Sequence, residues 1–170
     1  ASVPLLLDQV RVVLGDEEVD EGGDDEISWR GERVAALLVR MGDRVVAEVS
    51  RGLSDPSPDV SGAAALALAV RGSEASIASL ASSAFDPDPQ VRRSVARVLP
   101  ELVASQVLPV ERAFALAERL AEDTVPATRC FTAEALRLFD GRAAHRLAER
   151  LTHDPDPAVR AAAATTLKQM

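Results

Sequence analysis

The residues of this chain with side chains able to do chemistry are two histidines, one cysteine and several sets of charged groups spaced three, four or seven apart. Glu111, Arg112, Glu118 and Arg119 form one set, and Arg142, His145, Arg146, Glu149 and Arg150 form another. Arg44, Glu48 and Arg51 form an earlier one. Residues three, four or seven apart share one face of a helix, so each set makes a mixed-charge stripe. Such a stripe either pairs internally or recognises a protein or peptide segment, and the spacing alone leaves both open.

Other chemistries find little to work with. His145 and His153 lie eight residues apart, too far along a helix to chelate one metal together. No serine sits in a strained nucleophile turn, and no Gly-rich phosphate loop follows a strand, because the sequence shows no strands. Cys130 is the only cysteine, which excludes an intramolecular disulfide and a Cys-rich zinc site. Flanked by Phe131 and near Leu136, it reads as a small core residue. No catalytic residue, cofactor or metal is expected.

Charge narrows the partner classes. The net charge is −8, and residues 1–26 carry all of it, with nine acids against Arg11. The remaining residues balance at 18 acids and 18 bases. Nucleic-acid binding needs a net basic face and is disfavoured. Gly15 to Glu26 holds eight acids in twelve residues with Gly22-Gly23, which reads as a solvated, self-repelling connector. The alternative is an electrostatic contact with a basic partner or with the protein's own arginines. The sequence contains no apolar run of about 18 residues and no basic stretch at Ala1-Ser2-Val3-Pro4, so neither a membrane span nor a signal peptide is expected. A cytoplasmic protein of bacterial-like, Ala- and Arg-rich composition is the expectation.

The elements that would position these stripes follow from an internal repeat. Asp-Pro-Ser-Pro at 55–58 and Asp-Pro-Asp-Pro at 86–89 and 154–157 each precede a valine, Val60, Val91 or Val159, and then an Ala/Leu-rich run. Ala65 and Leu68 align with Ala96 and Leu99 and with Ala164 and Leu167. A 31-residue step back from Val159 gives Thr128, with Ala133 and Leu136 in register, and the same step from Val60 gives Trp29. Five copies result, at 29, 60, 91, 128 and 159. The fourth reads Glu122-Asp123-Thr124-Val125-Pro126 and has lost the Asp-Pro pair. A second helical run (helix B) follows the first (helix A) in each unit, at 44–53, 74–84, 110–121 and 142–152. Asp caps the next helix and Pro fits its first turn. The 37-residue third step puts six extra residues around Pro100 to Val107, as a longer helix A or a longer loop. The serines of 74–84 would let a partner approach closely. The arginine after each reference position, Arg30, Arg92, Arg129 or Arg160, is expected to pair with a carboxylate of the preceding turn.

The pattern from Asp86 to Leu99 and from Asp154 to Leu167 resembles the short HEAT repeats also found in phycobilisome-lyase-like proteins. That resemblance implies an all-α fold, an α-solenoid of four to five helical hairpins in a right-handed superhelix, with B helices lining the concave side. Residues 27–170 would form the array, and residues 1–26 a capping helix at 3–14 plus the acidic segment. Ser61 in place of Arg and Thr128 in place of Val should loosen their units. Because the chain stops after the fifth helix A, the last repeat is expected to continue in a longer protein or to pack on something else, including a second copy. The functional expectation is a non-enzymatic interaction scaffold that binds a protein or peptide on the concave B-helix face. The alternatives are a HEAT-type lyase or glycosylase-like enzyme or subunit, and a structural piece of a longer array.

Overall fold

The computed structural model describes residues 45–104, 106 and 108–170. The predicted helix 3–14, the acidic segment 15–26, the copy at Trp29 and Arg44 lie outside the described residues. Every regular element among the described residues is a helix, and the chain divides into two compact units, 1–82 and 83–170.

In the first unit, α1 (Val46–Gly52), α2 (Pro58–Arg71) and α3 (Glu74–Ser83) follow one another through short turns. Ser57 caps α2 by accepting from the Val60 N–H at 3.5 Å, with Pro58 in the first turn. Gly72, at φ 60, closes α2 by donating its N–H to the Leu68 carbonyl. This left-handed residue is the reason for a glycine there. Ala63, Ala64, Ala65, Ala67 and Ala69 are all buried on α2. Small side chains on several sides of one helix allow neighbours to approach closely. The serines of α3 serve the same end inside the fold. Ser76 is fully buried, and Ser79 Oγ lies 2.6 Å from Ser50 Oγ of α1. Only Ser82 of this series is exposed, so these residues join helices and do not form an open approach for a partner.

The second unit holds α4 (Pro89–Arg97), α5 (Leu99–Ala104), α6 (Val110–Leu120), α7 (Pro126–Ala135), α8 (Arg142–Leu151) and α9 (Pro157–Leu167). A 3-10 turn, Leu136–Leu138, extends α7. The A helices α4, α7 and α9 pack in sequence, α4 on α7 and α7 on α9, while the B helices α6 and α8 pack onto this layer. Val91, Val95, Leu99, Leu120, Leu136 and Val159 are its fully buried large residues nearest the repeat positions. The six-residue insertion becomes α5. Pro100 has no N–H to donate and its ring crowds the preceding turn, and helix A breaks at Val98 (φ −98, ψ 4) before restarting at Leu99.

What joins successive A helices is a charged clasp. Arg92 donates Nε to Asp123 Oδ2 at 2.6 Å and Nη2 to Asp123 Oδ1 at 3.1 Å. Arg129 treats Asp154 the same way, at 2.7 and 2.7 Å. The remaining Nη1 donates to carbonyls of the turn that opens the arginine's own helix: Asp86 and Pro87 for Arg92, Asp123 for Arg129. The arginine therefore takes its carboxylate from the following turn, and only backbone carbonyls from the preceding one. This corrects the sequence expectation. The reason is geometric, since the arginine's fork spans the seam between two repeats and a carboxylate on the far side completes it.

The clasp also revises the reading of the fourth copy. In the Asp-Pro-Asp-Pro turns the first aspartate accepts from the N–H two residues on, as Asp86 does from Asp88 and Asp154 from Asp156. The second aspartate is the N-cap. Asp123 keeps the first role and accepts from Val125 N–H at 2.9 Å. Only the cap is lost, because Val125 offers no side-chain acceptor.

Two predictions follow from these environments. Thr128 is fully buried at a position held by valine in three other copies, and among the described residues its hydroxyl meets no hydrogen-bond partner. Thr128→Val is expected to stabilise the protein by about 1 kcal/mol, raising the thermal midpoint by about 3 °C in calorimetry; an unchanged or lower midpoint would contradict this. The second concerns acid. The Arg129 hydrogen bond, against the cost of burial, and the Asp156 N–H hold the Asp154 carboxyl below its ordinary range. For Asp123, burial pushes upward, but the Arg92 hydrogen bond, the Val125 N–H and the nearby arginine charges outweigh it. A carboxyl depressed in the folded state stabilises the fold above its unfolded pKa of about 4 and ceases to do so as pH falls through the folded value. Urea unfolding should therefore show stability falling below about pH 4, and Asp154→Asn should flatten that fall while lowering stability at pH 7 by about 3 kcal/mol.

Candidate partner interface

The B helices bury one face and free the other. In α6 the buried face is Ala113, Leu116, Ala117 and Leu120, and in α8 it is Ala144, Leu147, Ala148 and Leu151. Both sets follow the i, i+3, i+4, i+7 rule that aims one stripe at a core. The predicted interface residues fall on the remaining surface. Glu111, Arg112 and Glu118 of α6 are exposed, as are Arg142, His145, Arg146, Glu149 and Arg150 of α8. In the first unit, Glu48 and Arg51 of α1 pair with each other at 3.2 Å.

Internal pairing accounts for part of the second unit's set. Arg150 reaches Glu122 at 3.3 Å, and His145 Nδ1 lies 3.5 Å from Glu149. These pairs are well solvated and contribute little to stability. Glu111, Arg112, Glu118, Arg142 and Arg146 make no ion pair or side-chain hydrogen bond among the described residues. Arg142, Arg146 and Arg150 stand four apart along α8, so one side of that helix is a basic stripe. At its start, a cleft of about 390 Å3 is lined by Arg137, Phe139, Arg142, His145 and Met170. Gly141 opens α8 at φ 105, a conformation that only glycine adopts without strain.

One residue of this surface escaped the sequence reading. Phe85 is 64% exposed, and the guanidinium of Arg119 lies over its ring at 5.3 Å. The repeat register carries the signal. Positions equivalent to Phe85 are Ser54, Glu122 and His153, all polar, so a phenylalanine is out of pattern there. Arg119 is consequently half-buried, flattened against an aromatic face, and not a free member of the stripe.

Cys130 departs from the expected core role. It is half-exposed on α7, with its thiol 3.9 Å from both Glu134 Oε1 and the Ala158 carbonyl. Burial, together with the negative charges of Glu134 and Asp156, pushes its pKa up. A thiol held protonated is a poor nucleophile and metal ligand. Among the described residues, no group of three histidine, cysteine or acidic side chains is placed to hold a metal ion, and no helix is long and apolar enough to cross a membrane.

Comparison with known proteins places the architecture. The family described as HEAT repeats matches residues 24–100 and again 82–168. A solved chain from the complex of CpcE and CpcF of phycocyanin lyase from Nostoc sp. PCC7120 is similar over 96% of both chains, at 17% identity and a TM-score of 0.59. A chain from a study of TOG–tubulin binding specificity aligns over 98% of this chain and 80% of its own, at 18% identity and a TM-score of 0.49. No curated protein matches the sequence. The stripe residues themselves are expected to be dispensable for folding. Arg142→Glu combined with Arg146→Glu should move the thermal midpoint by less than about 2 °C, as checked by circular dichroism melting; a large drop would give these arginines a structural duty.

Proposed function

Because the chain belongs to the HEAT-repeat family, we propose that it is a non-enzymatic binding scaffold whose exposed B-helix face, the concave face of the array in the HEAT resemblance, takes up a segment of a partner protein. The observation that carries this reading is the contrast in how charge is used. In the seams between repeats, Arg92, Asp123, Arg129 and Asp154 are buried and hydrogen-bonded to one another and to the turn backbone. On α6 and α8, five charged side chains stand exposed and unpaired among the described residues. Groups of that kind are free to pair across an interface, where they set register and orientation. The basic stripe of α8 fits a segment with acidic side chains at helical spacing. Phe85 under Arg119 supplies an aromatic and arginine pair of the type that anchors interfaces. The raised pKa of Cys130 supports binding over thiol catalysis. The similar Nostoc chain comes from a two-protein complex, CpcE with CpcF, and a protein partner is the corresponding expectation here.

A photo-crosslinking residue in place of Arg146, tested in the native host, is expected to give a discrete protein adduct that disappears when Arg142→Glu is added. The same probe in place of Glu134, exposed on α7, should give none. Equal adducts at both positions, or none at either, would contradict the assignment. Mixing with a linear tetrapyrrole is expected to leave the pigment's absorbance unchanged, and a shifted band would favour the lyase reading instead.

A further inference from the structure

The B helices α6 and α8 belong to successive repeats and lie side by side. Phe114, in the first half of α6, meets Phe139 at the entry to α8 with ring centroids 5.5 Å apart, and Glu122, just past the end of α6, meets Arg150 in the last turn of α8 at 3.3 Å. Contacts toward both ends make the two helices parallel. A register of 31 residues carries the buried Ala113, Leu116, Ala117 and Leu120 onto Ala144, Leu147, Ala148 and Leu151, so both helices turn the same face outward. On α6 the line opposite the buried stripe is Glu111, Ala115 and Glu118, at i, i+4 and i+7. The equivalent positions on α8 are Arg142, Arg146 and Glu149. Neighbouring ridges thus begin with opposite charge. Among the described residues, neither Glu111 nor Glu118 pairs with Arg142 or Arg146, although Glu122 and Arg150 do pair at the far end. The ridges are bridged at one end and stand apart at the other. Between them, Val110 is 49% exposed and shares a face with the half-exposed Phe114, four residues on. Ala143 is exposed and faces α6, because it lies seven residues before the Arg150 that reaches Glu122.

We propose that the groove between α6 and α8 takes an amphipathic helix of a partner protein, with a basic flank against Glu111 and Glu118 and an acidic flank against Arg142 and Arg146. A large apolar side chain between the two flanks seats on Val110, Phe114 and Ala143. This rests on the reading of the exposed B-helix face as the binding surface, and adds which charges the bound segment carries and on which side. The two ridges exclude a segment of one sign. An all-acidic helix would satisfy α8 and be repelled by α6, and an all-basic one the reverse. They also exclude a strand. The groove asks for side chains in three directions, to either wall and to the floor, whereas a strand offers only two opposite directions and a helix offers all three. Small residues at Ala115 and Ala143 leave room for the incoming helix to lie close. Direction is set as well, because turning the bound helix end for end would exchange its flanks and place like charges together.

The test uses the full chain and three synthetic helical peptides of about 18 residues, long enough to hold a helix, that share one leucine stripe. The first has lysines on one flank and glutamates on the other, the second glutamates on both, and the third lysines on both. In 1H–15N titrations the first is expected to shift amides of α6 and α8 around Phe114 and Ala143, and to bind at least about fivefold more tightly than either of the others. Charge exchange in the chain should then redirect the preference. Glu111→Lys with Glu118→Lys should weaken the first peptide and strengthen the second, while Arg142→Glu with Arg146→Glu should weaken the first and strengthen the third. A second peptide that binds the parent chain as well as the first would overturn the two-sided groove while leaving an acidic segment on α8 intact. Shifts centred outside α6 and α8, loss without the reciprocal gain in both variants, or no saturable shift from any peptide up to about 2 mM, where weak contacts still register, would also overturn it; the crosslink at Arg146 decides the broader reading separately.

Discussion

The second unit depends on one interaction, an arginine fork closed by the carboxylate that opens the next repeat. Burying a guanidinium and a carboxylate is costly, and the cost is offset only when every donor and acceptor is met in good geometry. At Arg92 the requirement is fulfilled. Arg92 gives three nitrogens to Asp123 and to two carbonyls, and Asp123 also receives the Val125 N–H. A single pair therefore fixes the arginine's helix, the turn before it and the turn after it. A one-residue slip between repeats would leave two buried charges unmatched, so the clasp specifies register as well as contact. The apolar layer around it is rich in alanine, which brings the helices close but carries little shape information of its own.

This arrangement divides the labour between the two kinds of helix. A helices carry the seams, and in the copies led by α4 and α7 the residues at the Arg, Ala and Leu positions are committed to neighbours. B helices contribute one buried stripe and leave the other face without structural duties, as α8 shows with Ala144, Leu147, Ala148 and Leu151 inside and three arginines outside. Charge on that face can change without disturbing the core, and such a surface is suited to partner recognition. Phe85 and Arg119 are the exception, because they hold each other in a fixed, partly apolar pose at the edge of the charged stripe.

Much of the helix pattern was legible in the sequence because the repeat is spelled at its turns. The expected B helices at 110–121 and 142–152 differ from the observed Val110–Leu120 and Arg142–Leu151 by one residue at their ends. The seam was misread because a turn aspartate and the following arginine are close in sequence, while the partner that completes the fork lies 31 residues on for Arg92 and 25 on for Arg129. Local spacing cannot show which of two aspartates a long side chain reaches. The same limit hid Asp123, whose role depends on its place in the turn and not on a following proline. Phe85 was missed for a different reason: one exposed aromatic stands out only when the turns are aligned position by position.

The central claim is that the Arg–Asp pair couples successive repeats, and a double-mutant cycle on Arg129 and Asp154 tests it most directly. Arg129→Ala, Asp154→Ala and the double variant would be unfolded in urea at pH 7 beside the parent chain. A coupling energy of about 2 kcal/mol or more is the result predicted for a buried, bidentate pair. A coupling below about 0.5 kcal/mol, with the two single losses simply adding, would contradict the account and leave the packing of small apolar residues as what holds the repeats together.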